Sequence, residues 1–396
     1  AELGIKLPTD TMSPIQLTEA KHFLDLWKHI FSSGLTDLGC TNIVQHGIEL
    51  SDSTPFNDAS HRIPPGMIEE VREHLKDMLD VGAIRESHSP YSSNVVLVRK
   101  KDGSLRFCID FRRLNSRTVK DAYALPRIDE TIDHLAGSKY FSKLDLRSGY
   151  WQVGMKESDK SKTALSVGPL GCNRMAFGLT NAPATFQRLM ERCMGDIHLK
   201  ECLIYLDDVI IYSETLAEHF SRLENVFLRL QEAGLKLKGS KCEFFKTSVA
   251  YLGHIVGPEG VQTDPEKVRA LKEWPVPTSV KERRSFLGFA SYYRRFVPAF
   301  ASIAKPLNDL FIGHPTNGGK RRKAAISWEW GNSEQRSFEM LIQRLTSPPT
   351  LAYADYSKPF IINKDASGTG LGAVLYQEQD GAERVVAYAS RGLRKN

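Results

Sequence analysis

Two strongly apolar runs flank a pair of acidic residues in the middle of the chain. Residues 202–206 and 209–212 are rich in branched and aromatic side chains, which is typical of buried strands. Asp207 and Asp208 stand where the runs meet, so the pattern predicts a hairpin with two carboxylates at or beside its tip. An Asp-Asp pair lacks the glycine that tight hairpins prefer, which makes a simple polar turn a weak explanation.

A third carboxylate belongs to another predicted strand. Within residues 141–146, Leu144 and Leu146 take one face and Asp145 takes the other. Three carboxylates brought together on adjoining strands would repel one another unless a cation neutralised them. Oxygen ligands that leave positions open for water and phosphate suit Mg²⁺, and two such ions can align an in-line phosphoryl displacement.

The rest of the pattern predicts strands interleaved with helices, an α+β arrangement with an antiparallel sheet. Short strands at 94–99 and 105–110 flank Asp102-Gly103, a favourable hairpin turn. Amphipathic spacing predicts helices at 65–82 and 216–234, the second stopped by Gly234. Further helices are predicted at 18–31, 183–194, 265–274, 280–300 and 333–345, and further strands at 360–362, 371–376 and 385–388.

An ordered series of longer motifs runs through most of the chain. The motifs are HRIPP at 61–65, VRKKDGSLRFCID at 98–110, FGLTNAPATFQ at 177–187, YLDD at 205–208, YLGH at 251–254, SFLG at 285–288 and YYRRF at 292–296. Together they resemble the reverse transcriptases of gypsy-type long-terminal-repeat retrotransposons. An isolated Asp-Asp would be weak evidence, whereas this ordered series is very specific.

The resemblance implies a right-hand polymerase with fingers, palm and thumb, followed by the first strands of a ribonuclease H-like domain. The expected division is a leader at 1–60, fingers and palm at 61–250, thumb at 251–312, a loop and connecting helix at 313–352, and a truncated ribonuclease H-like part at 353–396. Asp365 matches the first metal-binding acid of that domain. The later acids have no candidates, so RNA cleavage by this chain alone is not expected.

The resemblance also implies DNA synthesis directed by an RNA or DNA template. A primer 3′ hydroxyl would attack the α-phosphate of a deoxynucleotide, and pyrophosphate would leave. Asp145, Asp207 and Asp208 would be the catalytic acids and would hold two Mg²⁺ ions, with Mn²⁺ as the alternative. The backbone carbonyl of Leu146 would complete the coordination.

Several basic and aromatic residues match the family's nucleotide site. Lys100 and Arg106 match the finger hairpin that grips the triphosphate, and Lys101 is a rival for the role of Lys100. The alternative is an exposed basic hairpin without a ligand. Tyr150 matches the aromatic residue under the incoming sugar, and core packing is its alternative. Phe177 and Gly178 match the loop beside the nucleotide pocket, where glycine permits close backbone approach.

Three further residues match parts that act on pyrophosphate or on the primer. Lys241 matches a lysine that protonates pyrophosphate, and simple phosphate steering is the alternative. Leu252 and Gly253 resemble the turn that holds the primer terminus.

Composition and charge agree with a nucleic-acid partner. The formal charge is +6, and basic residues cluster at 99–101, 112–113, 236–241, 283–284, 294–295 and 320–323. The six cysteines lack metal-ligand spacing and are expected to be reduced and half-buried. No run of about 18 apolar residues occurs, so no membrane partner is expected. The first residue, Ala1, suggests a piece of a longer polyprotein.

The expected partners are an RNA template, a DNA primer, the RNA/DNA hybrid, deoxynucleoside triphosphates and other segments of the pol polyprotein. The expected location is the cytoplasm, within a virus-like particle, with the nucleus as the alternative. Two other function classes stay open: a catalytically silent nucleic-acid-binding protein derived from such a polymerase, and a nuclease. The three intact acids argue against the first, and the lone Asp365 argues against the second.

Overall fold

The computed structural model describes residues 3–34, 36–58, 62–99, 103, 105–310, 329–368 and 370–393. The chain forms two compact units, one made of residues 1–131 and 138–247 and the other of residues 132–137 and 248–396. Helices and strands alternate in both, which confirms the predicted α+β class. Among the helices of the described ranges, none combines the length and apolarity that crossing a bilayer requires.

Ten α-helices occur in the described residues. They are α1 Pro14–Leu26, α2 Ile68–Asp80, α3 Arg112–Arg117, α4 Ile128–Asp133, α5 Ala182–Met194, α6 Leu216–Glu232, α7 Pro265–Lys272, α8 Val280–Tyr292, α9 Phe300–Asp309 and α10 Asn332–Thr346.

The strands of the first unit are β1 Thr41–His46, β2 Ile84–Glu86, β3 Asn94–Arg99, β4 Leu105–Asp110, β5 Tyr140–Asp145, β6 Val153–Met155, β7 Ala164–Leu165, β8 Leu170–Cys172, β9 Cys202–Tyr205, β10 Asp208–Ser213 and β11 Glu243–Lys246. Those of the second unit are β12 Val249–Tyr251, β13 His254–Gly257, β14 Gly260–Thr263, β15 Ile361–Ala366, β16 Gly370–Gln379 and β17 Ala382–Gly392.

The centre of the first unit is a four-stranded antiparallel sheet in the order β11-β5-β10-β9. Leu203, Ile204 and Ile210 are fully buried in it, as their apolar runs predict. Helices α5 and α6 pack on this sheet and bury amphipathic faces, and Gly234, with φ +70°, follows the end of α6. The sheet therefore gives the paired acids a rigid support.

Smaller sheets complete the first unit. Strands β3 and β4 form the predicted hairpin, β2, β8 and β7 form a second antiparallel sheet, and β1 pairs with β6 in parallel. The second unit contains two three-stranded antiparallel sheets, β12-β13-β14 and β15-β16-β17. Helices α9 and α10 pack against each other, and α10 also packs against α7.

The helix predicted at 280–300 is wrong as a single element. Helix α8 ends at Tyr292, a short 3-10 helix covers Arg294–Phe296, and α9 begins at Phe300. Pro298 explains the break, because proline lacks an amide donor and forces the preceding residue out of the helical region. Val297 is indeed extended, with φ −115° and ψ 112°.

The cysteine prediction is wrong for most of the six residues. All six are free thiols, as expected, but Cys172, Cys193, Cys202 and Cys242 are buried and only Cys108 is half-buried. Small apolar side chains of this kind fill the core rather than line its edge.

Candidate active site

The strand pairing brings the predicted acids to one end of the central sheet. Along β5 and β10 the register is continuous, and it sets Asp208 directly opposite Asp145. Asp208 also pairs with Tyr205 across the β9–β10 hairpin, which leaves Leu206 and Asp207 as the two turn residues. Leu144 and Leu146 are buried and Asp145 is half-buried, so the alternation predicted for this segment is present.

The hairpin turn adopts a backbone conformation that is unusual for its sequence. Leu206 has φ +53°, in the left-handed region that disfavours residues with a side chain. Its amide donates a 2.6 Å hydrogen bond to Oε1 of Gln187, a fully buried residue of α5. The Gln187 amide nitrogen donates in turn to Glu191 Oε1 at 2.8 Å. Helix α5 thus stabilises the strained turn that carries Asp207.

The acids carry more negative charge than their surroundings neutralise. Asp207 is exposed at the turn, yet partial desolvation of its carboxylate and, secondarily, the negative charges of Asp208 and Asp145 together raise its pKa to about 6. Burial also raises the pKa of Asp145, an effect that Lys241 and Lys238 oppose and Asp208 reinforces. A cation bound among these groups would relieve both effects.

Two lysines lie beside the acids. Lys143 Nζ is 3.2 Å from Asp208 Oδ1, and Lys241 Nζ is 3.9 Å from Asp145 Oδ2. Within the described ranges, no three His, Cys, Asp or Glu side chains form a ready-made metal-binding group. The donor set nevertheless suits Mg²⁺ or Mn²⁺, because it consists of carboxylate oxygens alone and its charge is only partly offset. A cation bound here would compete with Lys143 and Lys241 for the carboxylate oxygens.

Residues 236–242 run beside the end of β5 and form hydrogen bonds with its backbone. The Lys238 amide donates to the Asp145 carbonyl at 2.8 Å, and the Asp145 amide donates to Cys242 Sγ at 3.4 Å. Leu146 forms an antiparallel bridge with Leu237 whose hydrogen bonds run through the flanking residues, Asp145 and Arg147. The Leu146 carbonyl takes no part in that bridge, so its predicted role as a metal ligand stays a prediction.

Tyr150 lies in a 3-10 helix just beyond Asp145 and is buried. Its ring centroid is 4.9 Å from that of Phe177 and 5.3 Å from that of Phe186. Burial and, secondarily, the charge of Asp207 raise the pKa of the Tyr150 hydroxyl. Phe177 is 46% exposed, and Gly178 has φ +96°, which favours glycine. The structure therefore packs Tyr150 against Phe177 and sets the Tyr150 hydroxyl within electrostatic reach of Asp207.

The finger hairpin is only partly described. Lys100 and Lys101 lie outside the described residues. Arg106 belongs to β4, where it pairs with Val98, and its side chain is likewise outside the description. The proposed triphosphate grip therefore stays a prediction.

The two other predicted sites belong to the second unit. Leu252 and Gly253 form the turn between β12 and β13, with φ +48° and +73°. Asp365 lies on β15, opposite Gly372, and lines a cavity of about 440 Å³ together with Arg294 and Arg391. Neither assignment is tested by this geometry alone.

Sequence reasoning missed four residues that contact the acids or their turn: Lys143, Gln187, Lys238 and Cys242. Lys143 could have been found, because it is two residues before Asp145 on one strand and shares its face. Gln187 lies within a recognised motif, but nothing in the sequence shows that its amide reaches a turn 19 residues away. Lys238 belongs to a basic cluster visible in the sequence, but the hydrogen bonds of Lys238 and Cys242 to the Asp145 backbone cannot be predicted from sequence.

Family models match two parts of the chain. Residues 98–256 match the family "Reverse transcriptase (RNA-dependent DNA polymerase)", and residues 330–396 match "RNase H-like domain found in reverse transcriptase". The chain belongs to the reverse transcriptase family. The first match includes β5, β9 and β10, and therefore the acids at the end of the central sheet.

Similar proteins of this family are retrotransposon polyproteins. The chain is 37% identical to the retrovirus-related Pol polyprotein from transposon opus of Drosophila melanogaster, over 99% of the chain and 41% of that protein. It is 38% identical to the corresponding polyprotein from transposon gypsy, over 93% of the chain and 36% of that protein. The chain thus spans between about a quarter and two fifths of the length of these and similar curated relatives.

Solved reverse transcriptase structures share the fold. The foamy viral protease-reverse transcriptase in complex with dsDNA matches with a TM-score of 0.84 and 23% identity, over 100% of this chain and 83% of that chain. The same viral protein in complex with an RNA/DNA hybrid matches with a TM-score of 0.79 and 23% identity, over 97% and 51%. The order predicted from the motifs, a reverse transcriptase domain followed by a ribonuclease H-like domain, is confirmed.

Proposed function

We propose that this chain is a template-directed DNA polymerase that extends a primer 3′ hydroxyl on RNA or DNA during retrotransposon replication. The observation that carries the proposal is the register of β5 and β10, which sets Asp145 opposite Asp208 beside a turn bearing Asp207. Two divalent ions held by these acids would activate the primer hydroxyl and offset charge on the triphosphate.

The chain's own groups would supply the remaining functions. The Tyr150 ring, packed on Phe177, would support the sugar of the incoming nucleotide and exclude a 2′ hydroxyl. Lys241, beside Asp145, would lie near the leaving pyrophosphate and either steer its charge or donate a proton to it. Lys100 or Lys101 and Arg106 would grip the triphosphate.

The five-part division of the chain belongs to the same proposal. The central sheet would be the palm, the β3–β4 hairpin part of the fingers, and helices α7 to α9 the thumb. Asp365 alone does not provide the several acids that ribonuclease H chemistry needs. We therefore expect no shortening of a labelled RNA strand in a hybrid by this chain.

Primer extension on a homopolymer template tests the proposal. The unaltered protein should extend the primer only with Mg²⁺ or Mn²⁺ present, and Asp207→Asn should lower the rate about a hundred- to a thousandfold. Asp196→Asn is a matched control, because Asp196 is an exposed acid paired with Arg229. Binding of the primer–template without extension by any of the three proteins would favour a catalytically silent nucleic-acid-binding protein instead.

A further inference from the structure

The turn between β12 and β13 is a backbone strain point in the second unit. Tyr251 pairs with His254, and both intervening residues, Leu252 and Gly253, have positive φ. A two-residue turn of this type suits glycine at both positions, so Leu252 is held in a conformation that costs free energy. Surrounding contacts must stabilise it.

Two neighbouring tyrosines at the end of α8 supply those contacts. The Tyr292 hydroxyl donates to the Leu252 carbonyl at 2.6 Å, and the Tyr293 hydroxyl donates to the Gly253 carbonyl at 2.8 Å. Adjacent residues of one helix end thus bind adjacent carbonyls of one turn. Tyr293 is only 2% exposed, so its hydrogen bond is shielded from competing water.

Packing around the tyrosines leaves the turn little freedom. His254 Nδ1 lies 2.8 Å from the Leu252 carbonyl, and its ring centroid is 5.5 Å from that of Tyr293. The Asp264 amide donates to the Gly253 carbonyl at 3.1 Å. Both carbonyls of the turn therefore have fixed donors.

The space beside Gly253 is filled by the Tyr293 hydroxyl, so a side chain at position 253 would clash with it. A Cβ added at Gly253 would stand 2.9 Å from the Tyr293 hydroxyl oxygen, closer than real Cβ contacts occur. The Gly253 backbone lies in contact with the Tyr293 hydroxyl. A shift of the turn would therefore require a shift of the Tyr293 side chain.

We propose that Tyr292 and Tyr293 are positioning residues that set the place of the primer terminus by fixing the Leu252-Gly253 turn to α8. This inference rests on the proposed function, in which that turn holds the primer. Because the link runs through two short hydrogen bonds from rigid rings, the turn moves with α8 as one body. The position of the primer 3′ end would then be fixed relative to α8.

Removing single hydroxyls tests this inference. We expect Tyr293→Phe to lower the single-turnover rate of nucleotide incorporation about three- to tenfold, the range of one lost hydrogen bond. The dissociation constant for the primer–template should change less than about twofold, because phosphate contacts dominate it. Fluorescence of 2-aminopurine at the primer 3′ end should shift, since that base reports its own surroundings without any chemistry. Tyr292→Phe should act in the same direction.

Tyr353→Phe is the matched control. Tyr353 is also buried, and its hydroxyl donates to the Gly257 carbonyl at 2.8 Å, at the other end of β13. The Tyr353→Phe variant should lower the unfolding midpoint as much as Tyr293→Phe does. It should leave the incorporation rate and the 2-aminopurine signal unchanged. Equal effects of the two variants on rate and fluorescence would overturn the inference.

A double variant provides an independent check. Gly253→Ala should slow incorporation strongly, and adding Tyr293→Phe should make the combined loss smaller than the product of the two single losses, because the clashing oxygen is gone. A fully multiplicative loss would contradict the direct contact. If the unaltered protein failed to extend any primer, the proposed function would be refuted, whereas the fluorescence comparison would still decide the inference.

Discussion

At the residue scale, the turn that carries Asp207 depends on a side chain from another element. Leu206 is a branched residue in the left-handed region, and the Oε1 atom of buried Gln187 accepts its amide hydrogen. Gln187 is tied to Glu191, which also receives a hydrogen bond from the Tyr123 hydroxyl. The position of Asp207 therefore depends on a series of hydrogen bonds through Gln187 and Glu191 of α5, and not on the sequence of the turn alone.

We expect Gln187→Met, which keeps the side-chain length, to destabilise the protein by about 0.5–1.5 kcal/mol, because the half-buried Leu206 amide loses its hydrogen-bond acceptor. The incorporation rate should fall about tenfold or more, because small misplacements of reacting groups are costly. Chemical denaturation and single-turnover kinetics measure the two effects. Gln343→Met, on an exposed residue of α10, should change neither by a measurable amount.

Single residues also show how far sequence reasoning reaches. The approach of Asp145, Asp207 and Asp208 at one end of the sheet was predictable, because acids beside buried strands are rare without a reason. The roles of Lys143 and Lys241 as counter-ions depend on side-chain directions, and the sequence gives only their spacing. The left-handed Leu206 was not predictable, because leucine has no preference for that conformation and only the partner on α5 stabilises it.

At the scale of elements, a buried histidine joins the two strands that carry the acids. His219 of α6 lies with Nε2 2.7 Å from the Ser142 hydroxyl of β5 and Nδ1 2.9 Å from the Ser213 hydroxyl of β10. Ser213 donates to the Thr215 carbonyl, which assigns the ring proton to Nδ1 and makes Nε2 the acceptor. Burial lowers the pKa of His219 to about 3, so the ring is neutral in the folded protein.

This neutral histidine predicts a pH dependence of stability. Between about pH 6.5 and pH 3 the unfolded chain binds a proton at His219 that the folded chain does not, so stability falls as the pH falls. The stability advantage of the unaltered protein over His219→Gln should therefore narrow by about 2 kcal/mol between pH 7 and pH 5. Urea titrations at both pH values measure it. If the difference in unfolding free energy between the two proteins stayed the same at both pH values, the His219 ring would already be charged in the folded protein. His22→Gln, at an exposed residue, is the control.

Elements were more predictable than their ends and interruptions. The hairpin strands at 94–99 and 105–110 agree with β3 and β4, because their alternation and turn signal act locally. The break between α8 and α9 was missed although Pro298 was visible, because amphipathic spacing continues across it. Strands β15 to β17 extend beyond their predicted bounds, since pairing with neighbours adds residues whose own pattern is weak.

At the scale of the whole molecule, the basic clusters and the net charge of +6 predict salt-sensitive binding of nucleic acid. The affinity for a primer–template should fall at least about a hundredfold between 50 and 200 mM salt, with log K linear in log salt concentration. Fluorescence anisotropy measures this dependence. An affinity that did not change with salt concentration would contradict binding through phosphate contacts, provided that the unfolding midpoint is also unchanged over this salt range.

The proposed polymerase activity requires Asp145, Asp207 and Asp208 to share divalent ions once nucleic acid and nucleotide are bound. Electron paramagnetic resonance of Mn²⁺, titrated into the protein with a 3′-deoxy-terminated primer–template and a deoxynucleotide, tests that claim most directly. We predict two bound ions per chain, with loss of at least one in Asp145→Asn and in Asp207→Asn and no change in Asp196→Asn. Undiminished Mn²⁺ binding in both acid variants would contradict the central claim.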